Sequence, residues 1–208
     1  NPAPLREDPD GRPRCFWHGG HADYIAYHDN EWGRPVADDT RLFEKVCLEG
    51  FQSGLSWLTI LRKRENFRAA FAGFDIEAVA RFGEKDVARL LADAGIVRHR
   101  GKIEAAIKNA QKAHDLIDRE GSLAAFFWRH EPEPGPAPES MSEIAALSVR
   151  SEATAASKTL KKAGWRFVGP TTVTALFQAA GLVNDHFAGC VCRDDVEAAR
   201  AAFKRPRG

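Results

Sequence analysis

A chain of 208 residues, with aliphatic, aromatic and charged residues in globular proportion, can bury a sizeable core as one domain or two lobes. No apolar run reaches bilayer-spanning length and no signal-peptide pattern opens the sequence, so a cytoplasmic protein with no membrane partner is expected. The net charge of only +1 excludes nucleic-acid attraction by an overall basic field and leaves any such contact to local clusters.

In chain order, residues 1–14 (NPAPLREDPDGRPR) are polar and proline-rich and read as a disordered tail. Residues 15–195 read as the folded domain, opening on RCFWHGGHADYIAYHDNEWG. On the helix predicted there, Tyr24, Tyr27, His28 and Glu31 share a face, and Trp32 lies one turn beyond His28. DDTRLFEKVCLEGFQSGL starts with a capping Asp and lines Leu42, Phe43, Val46, Gly50 and Ser53 along one stripe. Glu49 lies beside that stripe, as either a surface carboxylate paired with Lys45 or a buried one lining a pocket. Trp57, after the turn SGLS, would supply a flat wall.

RKRENFR (62–68) and GIVRHRGKI (95–103) add cationic side chains, and EKDVARLLADAG reads as a helix with a C-cap at Gly95. GKIEAAIKNAQKAHDLIDREG repeats at three and four through Ile103, Ala106, Ile107, Ala110, Ala113 and Leu116. EPEPGPAPES (131–140) reads as an extended surface loop. A lysine-rich helix carrying Lys161 ends at Gly164. A short hairpin then leads through Gly169 to a helix opening at Pro170 with Thr171 and Thr172, whose free N–H groups suit a backbone phosphate. His186 and Cys190 stand four apart on what reads as a helical turn, and residues 196–208 read as a basic C-terminal tail. Two-residue alternation is scarce, so the expected fold is all-α, a compact multi-helix domain.

The four cysteines are Cys15, Cys47, Cys190 and Cys192. Without a secretion signal, and with histidines nearby, reduced thiols and a metal suit them better than disulfides. Cys15 and His28 joined to His186 and Cys190 make a Cys₂His₂ set that suits one tetrahedral Zn²⁺. His18, His21 and Cys192 are rival ligands. Four protein ligands leave no open position, which marks a structural ion closing a long loop.

Taken together, AYHDNEWG, LFEKVCLEGFQSGLSW, AGIVRHRGKI, FVG and GLVNDHFAGC resemble the 3-methyladenine DNA glycosylase I family, in order over roughly residues 14–192. The resemblance implies a divergent helix-hairpin-helix glycosylase with a structural zinc held by Cys15, His28, His186 and Cys190, joining N- and C-terminal segments. It makes Glu49 the base-contacting, catalytic carboxylate, with Tyr27 and Trp57 as stacking walls and Trp17, Tyr24 and Trp32 completing an aromatic pocket. It implies a monomer that flips N3-methyladenine out of alkylated double-stranded DNA, hydrolyses the glycosidic bond and retains free 3-methyladenine as a product ligand. Gly164, Gly169, Thr171, Thr172 and Lys161 would then meet the DNA backbone. Bifunctional relatives carry a Schiff-base lysine where this chain has Thr171, so no lyase step is expected. Asp185 ranks behind Glu49 as catalytic carboxylate. Phe16 and Phe51 depart from the pattern, and Phe51 would alter the pocket rim. Two other classes remain: a non-catalytic zinc-stabilised DNA-binding protein, and a zinc hydrolase with Glu31 or Glu49 as base, which needs an open metal position.

Overall fold

The computed structural model describes residues 3–208. It begins with a small antiparallel hairpin, β1 (Leu5–Glu7) on β2 (Pro13–Cys15), in the register Leu5↔Cys15 and Glu7↔Pro13. This corrects the disordered tail: from residue 3 the segment is ordered, while Asn1 and Pro2 lie outside the described residues. Charge pairing organises it. The Arg14 guanidinium is 4% exposed and donates to Asp8 (3.1 Å), Asp10 (2.9 and 3.0 Å) and Asp29 (3.0 and 3.1 Å). Composition reports the prolines and charges but not that three carboxylates converge on one buried cation.

The remainder is helical. α1 (Ala22–Asn30) is followed by α2 (Asp39–Gln52), whose N-cap Asp38 accepts from the Arg41 N–H, and by α3 (Trp57–Ala70), capped by Ser56 on the Thr59 N–H. Two short helices follow, α4 (Ile76–Ala80) and α5 (Glu84–Leu91). α5 stops before the expected Gly95, which sits in a turn held by the Asp93 carboxylate (2.8 Å). α6 (Arg100–Glu120) is the long central helix, and α7 (Leu123–Trp128) turns back against it. After the extended loop 131–139 come α8 (Met141–Ala146) and α9 (Ser151–Lys162). A reversal at 163–169 leads to α10 (Pro170–Ala179). α11 (Arg193–Ala202) replaces the first part of the expected C-terminal tail; Val196 and Arg200 are buried, and Arg200 donates to the Gly181 and Leu182 carbonyls.

α2 is the axis of the core. Its Leu42, Phe43, Val46, Leu48 and Phe51 meet Phe67, Phe71 and Phe74 from the α3 segment and Ile103, Ala106 and Ala110 from α6. Phe51 is 1% exposed, with ring centroids 4.7 Å from Phe67 and 5.7 Å from Phe71. It is therefore core and not a pocket rim; truncating such a ring costs about 3–5 kcal/mol. α9 and α10 pack as a pair, and α10 rests on α2. Gly181, just after α10, has φ +78, and a Cβ there would come within 2.5 Å of the Arg34 backbone. Only glycine lets the two segments cross so closely. No helix among the described residues is long and apolar enough to cross a membrane.

Candidate functional site

The two Cys/His pairs, distant in sequence, meet in a second, smaller core built around Cys15, Phe187, Cys190 and Cys192. Cys15 Sγ lies 3.6 Å from His186 Nδ1, and Cys190 Sγ lies 3.5 Å from His28 Nε2 and 3.4 Å from His186 Nδ1. The four ligand atoms fall within 4.8 Å of one another, and all four residues are buried. The pairs arrive differently from the expectation. His28 projects from α1, but His186 and Cys190 lie on an irregular loop and not on a helical turn. A tight turn with Gly189 at φ +84 brings Cys190 round, and its N–H donates to Phe187 O at 3.0 Å.

The outer partners orient both imidazoles toward the group. His28 Nδ1–H donates to Asp29 at 2.7 Å, and His186 Nε2–H donates to the Trp32 carbonyl at 2.9 Å. Each ring thus turns its free nitrogen lone pair to the thiols, as a metal ligand must. The neighbouring Cys15 thiol pulls Cys190 well below its usual range, and Cys190 with burial raises Cys15. The donor set therefore fits a metal ion. Of the rivals, His18 and His21 are occupied elsewhere, while Cys192 stands beside His28 and Asp29 in a second group that could hold a metal. His18 accepts from the Gly20 N–H and faces Asp8 at 3.1 Å, exposed His21 lies against Arg62, and Cys192 donates to Asp29 at 3.4 Å.

The aromatic cluster leans on this group. Trp17 is centred 5.1 Å from His28 and 5.0 Å from both Tyr24 and Trp32, while Trp32 is edge-on to His186 at 4.8 Å. Tyr24 continues to Tyr27 (6.2 Å), and Tyr27 to Trp57 (5.5 Å). All five expected aromatic residues thus form one connected series from the Cys/His group to the start of α3.

Glu49 faces the far end of that series from α2. It is 7% exposed and lies near Lys45 without a hydrogen bond or ion pair to it, so the surface pair with Lys45 does not form. Burial pushes its carboxyl from 4.5 up to about 7, against the pull of nearby Lys45. Burial, and then the Glu49 charge, raises the Tyr24 hydroxyl to about 12, and the same causes raise Tyr27 well above its usual value. Trp57 Nε1 is also buried without a partner. A carboxylate and an indole N–H, both unspent, mark this end of the aromatic series as a binding position.

The competing carboxylates are spent. Glu31 takes a two-point ion pair from Arg64 at 2.6 and 2.7 Å. Asp185 is 3% exposed and holds Arg150 at 2.7 Å through both oxygens, plus Gln178 at 2.8 Å. It lines a groove of about 610 Å³ beside loop 132–139, where Arg150, Arg193 and Arg200 are likewise bound to protein acceptors.

The anion-binding candidates gather at the α9–α10 reversal. Lys161 and Thr171 are exposed, Thr172 is half-buried, Gly164 has φ +95, and Gly169 is the N-cap preceding Pro170. Two residues of α6 escaped sequence reasoning. Asn109 clamps this reversal by donating to Arg166 O and accepting from Arg166 N–H, both at 2.9 Å. Lys102 reaches the end of α2. A buried polar residue on an apolar helix face was the available signal for both. At the tip, Phe167 is 40% exposed at φ +55, and its Cβ lies 3.4 Å from where a Cβ on Gly50 would stand.

A family model described as methyladenine glycosylase matches residues 17–193. The DNA-3-methyladenine glycosylase 1 of Escherichia coli K12 is 50% identical over 182 residues, spanning 86% of this chain and 96% of its own. A crystal structure of 3-methyladenine DNA glycosylase I superposes with a TM-score of 0.82 at 47% identity, covering 86% of this chain and 99% of that one. The Staphylococcus aureus enzyme, whose structure concerns the recognition of 3-methyladenine, superposes at 0.79 with 36% identity, over 85% of this chain and 95% of its own. Sequence over most of the chain and backbone over the same span agree, and the chain belongs to the methyladenine glycosylase family.

Proposed function

We infer that this chain is a DNA-3-methyladenine glycosylase, an enzyme that excises 3-methyladenine from alkylated DNA. The observation that carries the reading is Glu49, a buried carboxylate with no protein partner near Tyr24 and Tyr27, the latter packed against Trp57. A target base leaves the stack at a cost of a few kcal/mol. N3-alkylated adenine is a cation while attached, so electron-rich rings favour it by about 0.5–2 kcal/mol per contact. Glu49 accepts hydrogen bonds from its amino edge, and the two opposite charges reinforce each other in a site of low polarity. The N-glycosidic bond then breaks with its electron pair passing to the base, which leaves neutral. Water adds to the sugar carbon and gives up a proton. Little acid catalysis is needed for such a leaving group.

The remaining features complete the reading. The protein acts as a monomer on double-stranded DNA, gripping the backbone at Gly164, Gly169, Thr171, Thr172 and Lys161 through a helix-hairpin-helix formed by α9 and α10. Cys15, His28, His186 and Cys190 hold one structural zinc; four protein ligands leave no position for water, which argues against a zinc hydrolase. What the ion supplies is a fixed platform for Trp17 and Trp32, which pack on its histidines. An aromatic series ending in an unspent carboxylate also argues against a non-catalytic groove reader. The test is incubation with methylated duplex DNA and chromatography of the released bases. Release of 3-methyladenine is expected, and absence of any base release would overturn the reading.

A further inference from the structure

Glu49 and Trp57 sit on either side of an exposed turn, residues 53–56, that joins α2 to α3. Inside the turn the bonds are local: Leu55 N–H to Gln52 O, Gln52 Nε2 to Leu55 O, and Ser56 Oγ with Thr59. Among the described residues, one side chain from another element bonds to the backbone of 51–55. Lys102 Nζ, from the first turn of α6, donates to Phe51 O at 3.0 Å and Ser53 O at 2.5 Å. Lys102 is 9% exposed, so this ammonium is held nearly out of water by those two carbonyls. α2 has no basic residue in its own last turn, and its C-terminal carbonyls take their cation from α6. The same face of α6 carries Asn109, which clamps the α9–α10 reversal.

We propose that Lys102 is a positioning residue for base excision: it fixes the exit of α2 so that Glu49 and Trp57 keep the separation the extruded base requires, and it ties them to the helix that holds the DNA-gripping reversal. The proposal rests on the excision reading above. A surface turn with only local bonds samples many arrangements, and small misplacements of a binding group cost large factors in rate. Lys102 removes that freedom without touching the substrate.

The test compares wild type with Lys102→Met and Lys102→Arg at a temperature where each is folded by circular dichroism. Readouts are the dissociation constant for free 3-methyladenine, the single-turnover excision rate at saturating enzyme, and the KM for methylated duplex. Lys102→Met is expected to bind the free base about tenfold more weakly and to excise about 10–100-fold more slowly, with KM for DNA nearly unchanged. Lys102→Arg, which keeps a cationic donor for two carbonyls, should recover most of both losses. If Lys102→Met does not fold, Lys102→Gln takes its place in the same measurements. Wild-type base affinity and excision rate in a folded Met or Gln variant would overturn the proposal. So would a loss that disappears on cooling in step with the folded fraction. A wild-type protein that releases no 3-methyladenine would instead overturn the excision reading itself.

Discussion

Replacing Glu49 by Gln should stabilise the folded protein above neutral pH while it weakens the enzyme. The carboxyl is buried, lacks a protein partner, and titrates at about 7 instead of 4.5. A group that holds its proton more tightly when folded makes native stability fall as pH rises from 4.5 through 7, because ionisation then opposes burial. The rise corresponds to about 3 kcal/mol withheld at alkaline pH. Glutamine cannot ionise, but its amide is also buried, so the net gain is about 1–3 kcal/mol at pH 8.5. For a chain of this size that is a Tm increase of roughly 3–10 °C. At pH 4.5 the two proteins should differ little. Thermal unfolding of both, across pH 4.5–8.5, isolates the effect, since every other titrating group is common to the pair. An unchanged Tm difference between acid and alkaline pH would refute the account of Glu49 as an unpaired buried carboxylate.

The same substitution should slow excision partially and not abolish it, because the charged substrate departs readily; unchanged rate and base affinity in the folded variant would remove Glu49 from the site. 3-Methyladenine should be released far faster than 7-methylguanine, whose O6 acceptor would meet the Glu49 carboxylate at a cost of about 1–3 kcal/mol; comparable initial rates from one methylated DNA sample would contradict this. Elemental analysis should find about one zinc per chain, and Cys190→Ala should lose metal and Tm together; a folded wild type free of metal would exclude the structural ion. Borohydride should trap no substantial protein–DNA adduct, because Thr171 offers a hydroxyl where an imine needs an amine. Asn109→Ala should raise the KM for DNA while leaving free 3-methyladenine affinity intact, and equal loss of both would disprove its placement at the hairpin alone.

Residue types and local spacing carried much of this site. The capping Asp38 and the period of α6 form as expected, and the α2 stripe is buried at Leu42, Phe43, Val46 and Gly50 but not at Ser53, which caps the helix and is exposed. The Cys/His set was legible because metal-binding residue types are few, although the loop bearing His186 and Cys190 is not helical. The N-terminal hairpin was not legible, since the cluster of Asp8 and Asp10 on Arg14 also draws Asp29 from α1. Lys102 and Asn109 were missed for the same reason. Their acceptors lie far along the chain, so a polar residue on the apolar face of α6 signals burial without showing which carbonyl it reaches. α11 was misread by its basic end, although acids in its first turn and buried Val196 are helix signals.

Cys15 and His186 meet across 171 positions of sequence, and Cys190 and His28 across 162. A chain is made from its N-terminus, so Cys15 and His28 are in place long before His186 and Cys190 are made. Until His186 is made, Trp32 lacks the imidazole it meets edge-on, while Trp17 already has His28 beside it. Most of the core around α2 and α6 is drawn from residues before α10 ends, with Ala180, Leu182 and Val183 added just after it. A chain stalled before residue 186 would therefore hold Cys15 and His28 without the two partners that complete their buried group. The order of synthesis thus separates the two halves of the Cys/His group by most of the chain between them.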